Sequence, residues 1–299
     1  MIATWAERIG RGMTQGAVVI VSGASSGIGQ ACAARMVLRG CRVFGVSRTP
    51  PPGGAPFEHL PVDVTNDNDV EAAVQEVFAR EQRIDVLINS AGYGLAGAIA
   101  DTSLDEAHRQ FEVNFFGCLR LCRAVLPTMQ NQGSGLIVNV SSLGGLFGLP
   151  FQGLYSASKF ALEGLTESLR HEVGRFGIDV VAVEPGDVRT AFTRYRVRAA
   201  ASGQGSAYRE QFNAALAIME RDEDQGVPAE RVAALVESIW RERHRRPRYI
   251  CGQASQTVAA PAKRLLPARL FERLIADHYA AIRCGNRRRH RGGTCSTSQ

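Results

Sequence analysis

The sequence lacks several features that would mark a membrane-spanning, secreted or disulfide-stabilised protein. It contains no run of about 18 apolar residues, so we expect no span of the bilayer. Residues 1–16 hold no apolar stretch of signal-peptide length. The seven cysteines are odd in number and irregularly spaced, which argues against a disulfide framework. These absences favour a globular protein of the reducing cytoplasm.

Basic residues outnumber acidic ones, and a net charge of +6 raises the question of a nucleic-acid or membrane partner. Much of the excess lies near the C-terminus, in Arg241–Arg248 and Arg287–Arg291. Neither cluster is interleaved with stacking aromatic residues, so we expect no nucleic-acid role. Cys118 and Cys122 share a helix face, but no His or Cys pair at ligand spacing accompanies them, and no metal site is predicted.

Short apolar runs alternate with segments of helical periodicity from Ala17 to about Gly252. The runs are continuous and β-branched, which is typical of parallel strands covered on both faces. The sequence therefore predicts one α/β domain with a Rossmann-type, doubly wound parallel sheet of about seven strands and helices on both faces. The predicted strands are Ala17–Ser22, Arg42–Ser47, His59–Val62, Ile84–Asn89, Leu136–Ser141, Ile178–Glu184 and Arg248–Cys251. The predicted helices are Gly27–Leu38, Asp67–Arg80, Asp105–Met129 as one long helix or a kinked pair, and Tyr155–Phe176.

Composition changes at the ends of the chain and after the sixth strand. Residues 1–14 are expected to be a disordered leader or a start-site artefact and residues 284–299 a basic disordered tail, leaving 15–283 as the folded domain. The stretch from about 187 to 225 is polar and Arg-rich, and is interpreted as an irregular mobile lid, with a plain surface excursion as the alternative. Residues 262–282 form either an amphipathic helix on an anionic membrane or a cover for the substrate pocket or another subunit.

A glycine-rich loop follows the first predicted strand. Its glycines allow a tight turn and close backbone approach to a pyrophosphate, while the next helix offers free N–H groups and its positive end to that anion. The strand–turn–helix context favours a dinucleotide site over a purely structural glycine turn. The loop residues expected to bind are Gly23, Ser25, Ser26, Gly27, Ile28 and Gly29.

The end of the second predicted strand has no acidic residue, although a carboxylate there would bind the ribose hydroxyls of NAD. Val46-Ser47-Arg48 stands in its place. Arg48 can pair with the 2′-phosphate of NADP, and Ser25 or Ser47 can add a hydroxyl donor. We therefore expect NADP(H) rather than NAD(H), with a solvated loop arginine as the alternative for Arg48.

Tyr155 and Lys159 are four residues apart and share a helix face. A free phenol has a pKa near ~10, and a neighbouring ammonium together with an oxidised nicotinamide ring is expected to favour the phenolate. Tyr155 then serves as the acid/base that exchanges a proton with a carbonyl or alcohol oxygen. Ser142 ends a predicted strand shortly before, and its hydroxyl can hydrogen-bond the same oxygen.

These motifs together resemble the short-chain dehydrogenase/reductase superfamily over Ala17 to Gly252. The resemblance implies a catalytic set of Ser142, Tyr155, Lys159 and Asn114, the last holding a water in the proton relay. Ser90 departs from the family's NNAG motif, in which the second residue is asparagine. Beyond the loop residues, Arg48, Tyr155 and Lys159, the implied cofactor contacts are Asp63, Val64, Asn89, Ala91, Gly92, Pro185, Gly186, Val188 and Thr190.

The resemblance also implies an activity, a substrate class and an assembly. The activity is NADP(H)-dependent hydride transfer between a carbonyl and an alcohol. Residues 141–145 and 183–192 are similar to the estradiol and retinol dehydrogenase-like branch, which implies a lipophilic substrate. Helices 105–129 and 155–176 resemble those that pair subunits, implying a homodimer or homotetramer. Leu143, Leu146, Phe147, Leu149 and Phe151 are read as an apolar lining, with loop packing against the core as the alternative.

Two other functions remain open from the sequence alone. A non-catalytic NADP-binding regulator is the main alternative, although such proteins usually lack the tyrosine or the lysine. A lyase or epimerase that oxidises its substrate transiently usually carries a longer substrate domain than the chain offers after Gly186.

Overall fold

The computed structural model describes residues 16–279. The expected leader, the expected tail and residues 280–282 lie outside the described residues. Within 16–279, no helix combines the length and the apolarity needed to cross a membrane. The same part of the chain holds no group of three His, Cys, Asp or Glu side chains placed to bind a metal ion.

A seven-stranded parallel sheet forms the centre of the domain, in the order β3-β2-β1-β4-β6-β7-β11. Its strands are β1 (Val18–Ser22), β2 (Arg42–Ser47), β3 (Glu58–Pro61), β4 (Val86–Asn89), β6 (Gly135–Val140), β7 (Ile178–Pro185) and β11 (Arg248–Cys251). The order reverses between β1 and β4, so the carboxyl ends of these strands open a crevice where ligands bind in such sheets. Both faces of the sheet are buried, which explains the continuous apolar runs in the sequence.

Helices cover both faces of the sheet and make two apolar cores. On one face, Met36 of α1 and Trp240 of α7 pack against β1 and β11. On the other face, Leu121 of α4 and Leu162 of α5 pack against β4 and β6. The helices are α1 (Gly27–Leu38), α2 (Asp67–Glu81), α3 (Leu104–Phe111), α4 (Gly117–Gln132), α5 (Gly153–Val173), α6 (Arg209–Asp224), α7 (Ala229–Arg241), α8 (Ala254–Leu265) and α9 (Ala268–His278). The predicted α/β fold class is confirmed.

The predicted helix 105–129 is a kinked pair of helices, which is one of the two alternatives expected from the sequence. A π-helical turn over Glu112–Phe116 separates α3 from α4. The extra residue in this wider turn re-aims the side chains that follow, and such turns are frequent at functional sites. Here the turn carries Asn114, a residue expected in the site.

The interpretation of residues 187–225 as irregular is wrong in its second half. Phe212, Leu216 and Met219 are buried on one side of α6 at helical spacing, a periodicity that the polar composition conceals. Three short parallel pairings outside the main sheet involve this region and its neighbours: β5 (Leu95–Ala96) with β9 (Val197–Arg198), β8 (Val188–Arg189) with β10 (Val227–Pro228), and the single bridge of Gly97 to Gln152. Lid motion of this segment stays a prediction.

Residues 262–279 span the last turn of α8 and the whole of α9 rather than one continuous helix, and α8 and α9 together form a helical hairpin. α8 ends at Leu265, and Pro267 precedes α9 and places Leu266 in an extended conformation. Phe271 is buried and its ring lies 5.3 Å from that of Phe147, measured between centroids. The inner side of the hairpin therefore covers the loop after β6, in line with the pocket-cover alternative.

Candidate active site

The glycine loop between β1 and α1 is shaped by close backbone approach. A Cβ on Gly29 would lie 2.3 Å from the Gly23 carbonyl oxygen, and one on Gly23 would lie 2.9 Å from Ala91 Cα. Gly27 has φ +55°, in the left-handed region that favours glycine. The helix begins at Gly27 without a side-chain cap from Ser26. The first N–H groups of α1 are thus available to a pyrophosphate, and this cradle fits a dinucleotide.

The end of β2 presents the predicted arginine to the same crevice. Arg48 is exposed and lines the cavity beside Ser25. The Ser47 hydroxyl instead donates to the Thr49 carbonyl at 2.9 Å and contacts His59, so its expected role as a phosphate donor is not supported. Asp63 lies at the adjacent strand end, where the Thr65 main-chain N–H, more than the charge of Arg48, lowers its pKa.

Asn89 and Gly92 lie among hydrogen-bonded polar groups at the carboxyl ends of the central strands. Asn89 donates to Asn139 Oδ1 at 2.9 Å and contacts Cys122, so it ties β4 to β6 and does not line the cavity. Ser90 and Ala91 donate their main-chain N–H groups to the Ser22 hydroxyl at 3.0 and 3.1 Å. These bonds come from the main chain, so serine in place of the family's asparagine at position 90 does not disturb them.

Asn114 is buried behind the cavity, with its side chain fully engaged. Its amide exchanges two hydrogen bonds of 3.0 Å with the main chain of Tyr93 and donates to Ser158 Oγ at 3.2 Å. A Cβ on Gly92 would lie 3.1 Å from Asn114 Oδ1, so the glycine lets this side chain approach without being displaced. The side chain fixes the turn after β4 against α5.

Ser142, Tyr155 and Lys159 meet at one wall of the cavity, as the spacing predicts. Ser142 follows β6, and its hydroxyl accepts a hydrogen bond from the Gly144 main-chain N–H at 3.0 Å. A Cβ on Gly144 would lie 3.4 Å from Ser142 Oγ and 3.2 Å from Tyr155 Cε1, so the two side chains border one space. Lys159 lies one turn after Tyr155 on α5, with its Nζ 5.9 Å from the centre of the phenol ring. Lys159 Nζ donates to the Val140 carbonyl at 2.8 Å, which holds the ammonium at the end of β6.

In the protein itself, burial is the main influence on the pKa values of Tyr155 and Lys159. Burial raises the pKa of Tyr155 to about 12, and hydrogen bonding to Ser142 offsets this only in part. Burial also lowers the pKa of Lys159 to about 8. The Lys159 ammonium itself is hydrogen-bonded to the Val140 carbonyl. Tyr155 is thus neutral at pH 7, the form that can donate a proton.

The segment after β7 closes the crevice from the other side. The main chain of Gly186 donates to the Cys251 carbonyl at 2.8 Å, which fixes the turn after Pro185. Thr190 approaches the glycine loop so closely that a Cβ on Gly27 would lie 3.3 Å from Thr190 Cβ. Val188 is buried in the short strand β8. This segment therefore borders the same cavity as the glycine loop.

A single cavity of about 1680 Å³ joins these parts, and most of the predicted site residues line it. Gly29, Asn89 and Asn114 do not line it; they shape the walls from behind. The predicted residues on the cavity wall are Gly23, Ser25, Ser26, Gly27, Ile28, Arg48, Asp63, Val64, Ala91, Gly92, Ser142, Tyr155, Lys159, Pro185, Gly186, Val188 and Thr190.

The wall of the cavity also carries an apolar group of residues and an acidic group. Leu143, Phe147 and Leu149 line it as predicted, and Met219 and Ile275 add to them. Leu146 and Phe151 do not line it; Leu146 packs beneath the α8–α9 hairpin and Phe151 packs on Phe212. The acidic side comprises Asp187, Asp222 and Glu223.

Sequence patterns gave no indication of the ion pair that holds the wall behind Tyr155. The Arg196 guanidinium is 2% exposed and pairs with Glu223 of α6. It also lies 5.9 Å from the ring centre of Phe192, whose ring is 5.8 Å from that of Tyr155. The spacing of apolar residues could have predicted α6, the helix that carries Glu223. It could not have predicted the pair itself, because ion pairs between distant segments have no sequence signature.

A family model for short chain dehydrogenases matches residues 17–201. The chain therefore belongs to the short-chain dehydrogenase/reductase family, as its motifs indicate. It is an oxidoreductase that acts on CH–OH groups and their carbonyl counterparts, with an NAD(P)-binding Rossmann domain.

Curated relatives and solved structures support this assignment over most of the chain. A 3-ketodihydrosphingosine reductase of Bacteroides thetaiotaomicron is 38% identical over 263 residues, which cover 88% of this chain and 98% of that protein. Human 17-beta-hydroxysteroid dehydrogenase type 1 is 39% identical over 193 residues, 58% of each chain. A short-chain dehydrogenase from Burkholderia phymatum, solved in complex with NAD, superimposes with a TM-score of 0.74 at 26% identity, covering 88% of this chain and 96% of that one.

Proposed function

We propose that this chain is an NADP(H)-dependent reductase of lipophilic ketones or aldehydes, with Ser142, Tyr155, Lys159 and Asn114 as its functional set. One observation carries the proposal: a serine that follows β6 meets a tyrosine and a lysine of α5 in the cavity that begins at the glycine loop. When bound, the cofactor supplies the hydride. The protein supplies orientation, a proton and a water-poor wall.

The neutral phenol of Tyr155 donates its proton to the substrate oxygen as that oxygen gains charge. Ser142 hydrogen-bonds the same oxygen and stabilises the developing charge. Lys159 holds its ammonium at the end of β6, where it lowers the cost of a transient phenolate. Asn114 would support the proton relay by fixing the turn after β4 against α5, since its side chain is committed to Tyr93 and Ser158.

Arg48 supports the preference for NADP(H). Its exposed guanidinium lines the cavity at the end of β2, where a carboxylate would select NAD. Arg48→Asp is expected to weaken NADPH binding about 100-fold, because a charge-assisted contact of about 1.5–3 kcal/mol is replaced by repulsion.

Isothermal titration with NADPH and NADH measures this preference. NADH lacks the 2′-phosphate and is the matched ligand control, so its affinity should stay within about threefold or improve. Equal losses for both cofactors would show that Arg48 shapes the loop and does not read the phosphate.

The apolar side of the cavity supports a lipid-like substrate. Each buried methylene contributes about 0.8 kcal/mol, so a long-chain ketone should exceed a short-chain analogue in kcat/KM by 100-fold or more. The carboxyl groups opposite favour a neutral or cationic substrate; burial, more than the neighbouring Glu223, raises the pKa of Asp187 to about 6. The names of the relatives direct the first assays to a 3-keto sphingoid base and a 17-keto steroid.

NADPH oxidation with these two ketones, a keto fatty acid and a short water-soluble ketone tests the substrate class. The keto fatty acid should be the poorest of the long substrates because its carboxylate would face Asp187 and Asp222. Highest kcat/KM for the short ketone would refute the lipophilic assignment. Tight NADPH binding without turnover on any carbonyl would instead favour the alternative, a non-catalytic NADP-binding regulator.

The outer side of the α8–α9 hairpin supports a peripheral membrane contact. Leu265 and Leu274 are 83% and 52% exposed, and Arg264 and Arg269 lie beside them on exposed positions. Exposed leucines flanked by arginines are the combination that binds the interface of an anionic bilayer. The contact would place the cavity cover next to a source of apolar substrate.

Co-sedimentation with phosphatidylserine vesicles at low and high salt tests this contact. Leu265→Glu with Leu274→Glu should reduce the bound fraction several-fold. Leu38→Glu, at an equally exposed leucine on α1, serves as the control and should bind as the parent does. If the parent protein does not bind the vesicles at low salt, or if the double variant and the Leu38→Glu control bind equally, the hairpin is excluded as a membrane contact.

The assembly and the location of the protein stay predictions. The subunit-pairing helices proposed from the family resemblance correspond to α3–α4 and α5, and light scattering of the purified chain would distinguish a homodimer or homotetramer from a monomer. A cytoplasmic location is proposed from the cysteine pattern, and fractionation of the expressing cell would test it.

A further inference from the structure

A buried group of carboxyls lies directly behind the candidate catalytic lysine. Glu163 follows Lys159 by one turn of α5 and is 5% exposed. Glu184 lies near the end of β7 and is 1% exposed. Buried carboxylates are costly unless they are paired, so two of them in one place need an explanation.

Arg248 of β11 is the cation shared by this group. Its Nε lies 3.1 Å from Glu163 Oε2 and 3.5 Å from Glu184 Oε1, and its Nη2 lies 3.2 Å from the exposed Glu167. One guanidinium thus faces two buried carboxyls and one exposed carboxylate. If both buried carboxyls were ionised, the group would carry an excess negative charge in a dry environment.

Three buried polar atoms of this group have no hydrogen-bond partner within residues 16–279: Glu163 Oε1, Glu184 Oε1 and Ser141 Oγ. Ser141 follows β6 and its main-chain N–H donates to the Val183 carbonyl at 2.7 Å, which puts it beside Glu184. A Cβ on Gly145 would lie 2.8 Å from Ser141 Oγ and 3.2 Å from Glu163 Cγ, so both side chains border one tight space. The Ser141 hydroxyl can donate one hydrogen bond, whereas the two carboxylate oxygens only accept. One donor thus serves two buried acceptors, and a proton on one carboxyl supplies the second donor.

We propose that Glu184 holds that proton and that the Glu163 carboxylate is a positioning residue, which keeps the Lys159 ammonium charged from one helical turn away. Burial and the neighbouring Glu163 raise the pKa of Glu184 to about 7. The charge of Glu163 raises the pKa of Lys159, whereas burial lowers it. The charged and titratable groups around the two carboxyls and the lysine are Cys118 on α4, Glu167 and Arg170 on α5, Arg248 on β11 and Arg264 on α8.

The two lysines of the chain, Lys159 and Lys263, make a direct test available. Lysine labelled with ¹³C at Cε gives two titrating NMR signals, assigned with a Lys263→Arg variant. Lys263 is exposed and serves as the internal reference. In the parent protein the Lys159 signal should titrate near the value of about 8 to which burial lowers its pKa.

The two isosteric substitutions have different expected effects. Glu163→Gln should lower the Lys159 pKa by about one unit, since it removes a negative charge from a poorly solvated neighbour. Glu184→Gln should change it by less than about 0.3 units, because glutamine resembles the protonated acid. Glu167→Gln, on the same helix but exposed, should leave it unchanged.

The basic limb of the kcat pH profile for ketone reduction should move to lower pH by the same amount in Glu163→Gln only. The kcat profile rests on the proposed function, whereas the NMR titration needs no turnover. If the protein reduces no ketone, the proposed function is refuted, but the NMR titration still tests the role of Glu163. If Glu163→Gln does not fold, the double variant with Glu184→Gln removes both buried acids and should show the same shift. An unchanged Lys159 pKa in Glu163→Gln, or equal shifts in both single variants, overturns the proposal.

Discussion

Tyr155→Phe is expected to lower kcat for ketone reduction about 10³-fold while leaving NADPH affinity within about threefold. The phenol is buried, neutral and adjacent to Ser142, and its hydroxyl is the proton donor placed at that wall of the cavity. Removing one oxygen leaves the ring, its contact with Phe192 and the glycine loop in place. The loss should therefore fall on the chemical step and not on cofactor binding.

Tyr279→Phe is a matched control for this variant. Tyr279 is a buried tyrosine of the same cavity, and its phenol is also neutral because burial raises its pKa above the ordinary range. Single-turnover rates with NADPH and a long-chain ketone should fall for Tyr155→Phe and stay within about threefold for Tyr279→Phe. Turnover that survives Tyr155→Phe would remove the mechanism proposed above.

Strand and helix positions followed closely from the sequence because local patterns determine them. Helix Gly27–Leu38 and strands Arg42–Ser47 and Arg248–Cys251 have the predicted bounds. Continuous β-branched runs, a glycine turn and a C-terminal glycine are short-range signals that tertiary packing does not override in a doubly wound sheet. α6 escaped prediction because its few buried residues are scattered among charged ones.

The residues of the candidate site could be identified from motifs, but their electrostatics could not. From the sequence we expected Lys159, together with an oxidised nicotinamide ring, to favour the phenolate; the burial that raises the pKa of Tyr155 in the protein itself was not foreseen. Burial depends on how α5, the loop after β6 and the 187–225 segment close around the phenol. The same limitation of local patterns concealed the Arg196–Glu223 pair and the role of Ser22 in holding the turn after β4. Each depends on side chains from segments far apart in the chain.

Gly29→Ala is expected to weaken NADPH binding at least about 100-fold. The added Cβ would lie 2.3 Å from the Gly23 carbonyl oxygen and 2.9 Å from that of Ser22, and both contacts are with backbone that has no flexible side chain to move aside. The loop or the first turn of α1 must therefore shift, and overpacking of this kind costs about 1–3 kcal/mol or more. A shifted loop no longer presents its N–H groups at one point, so pyrophosphate binding is lost while the rest of the sheet remains.

Gly164→Ala separates this effect from a general response to alanine. Gly164 lies within α5 where an added Cβ meets nothing within 4 Å, so the substitution should stabilise the fold by about 0.5–1 kcal/mol and leave NADPH binding unchanged. Thermal unfolding and titration of both variants with NADPH give the comparison. Near-parental affinity in Gly29→Ala would mean that the close approach at the start of α1 does not hold the dinucleotide, and the binding mode proposed for the whole cavity would then have to be reassigned.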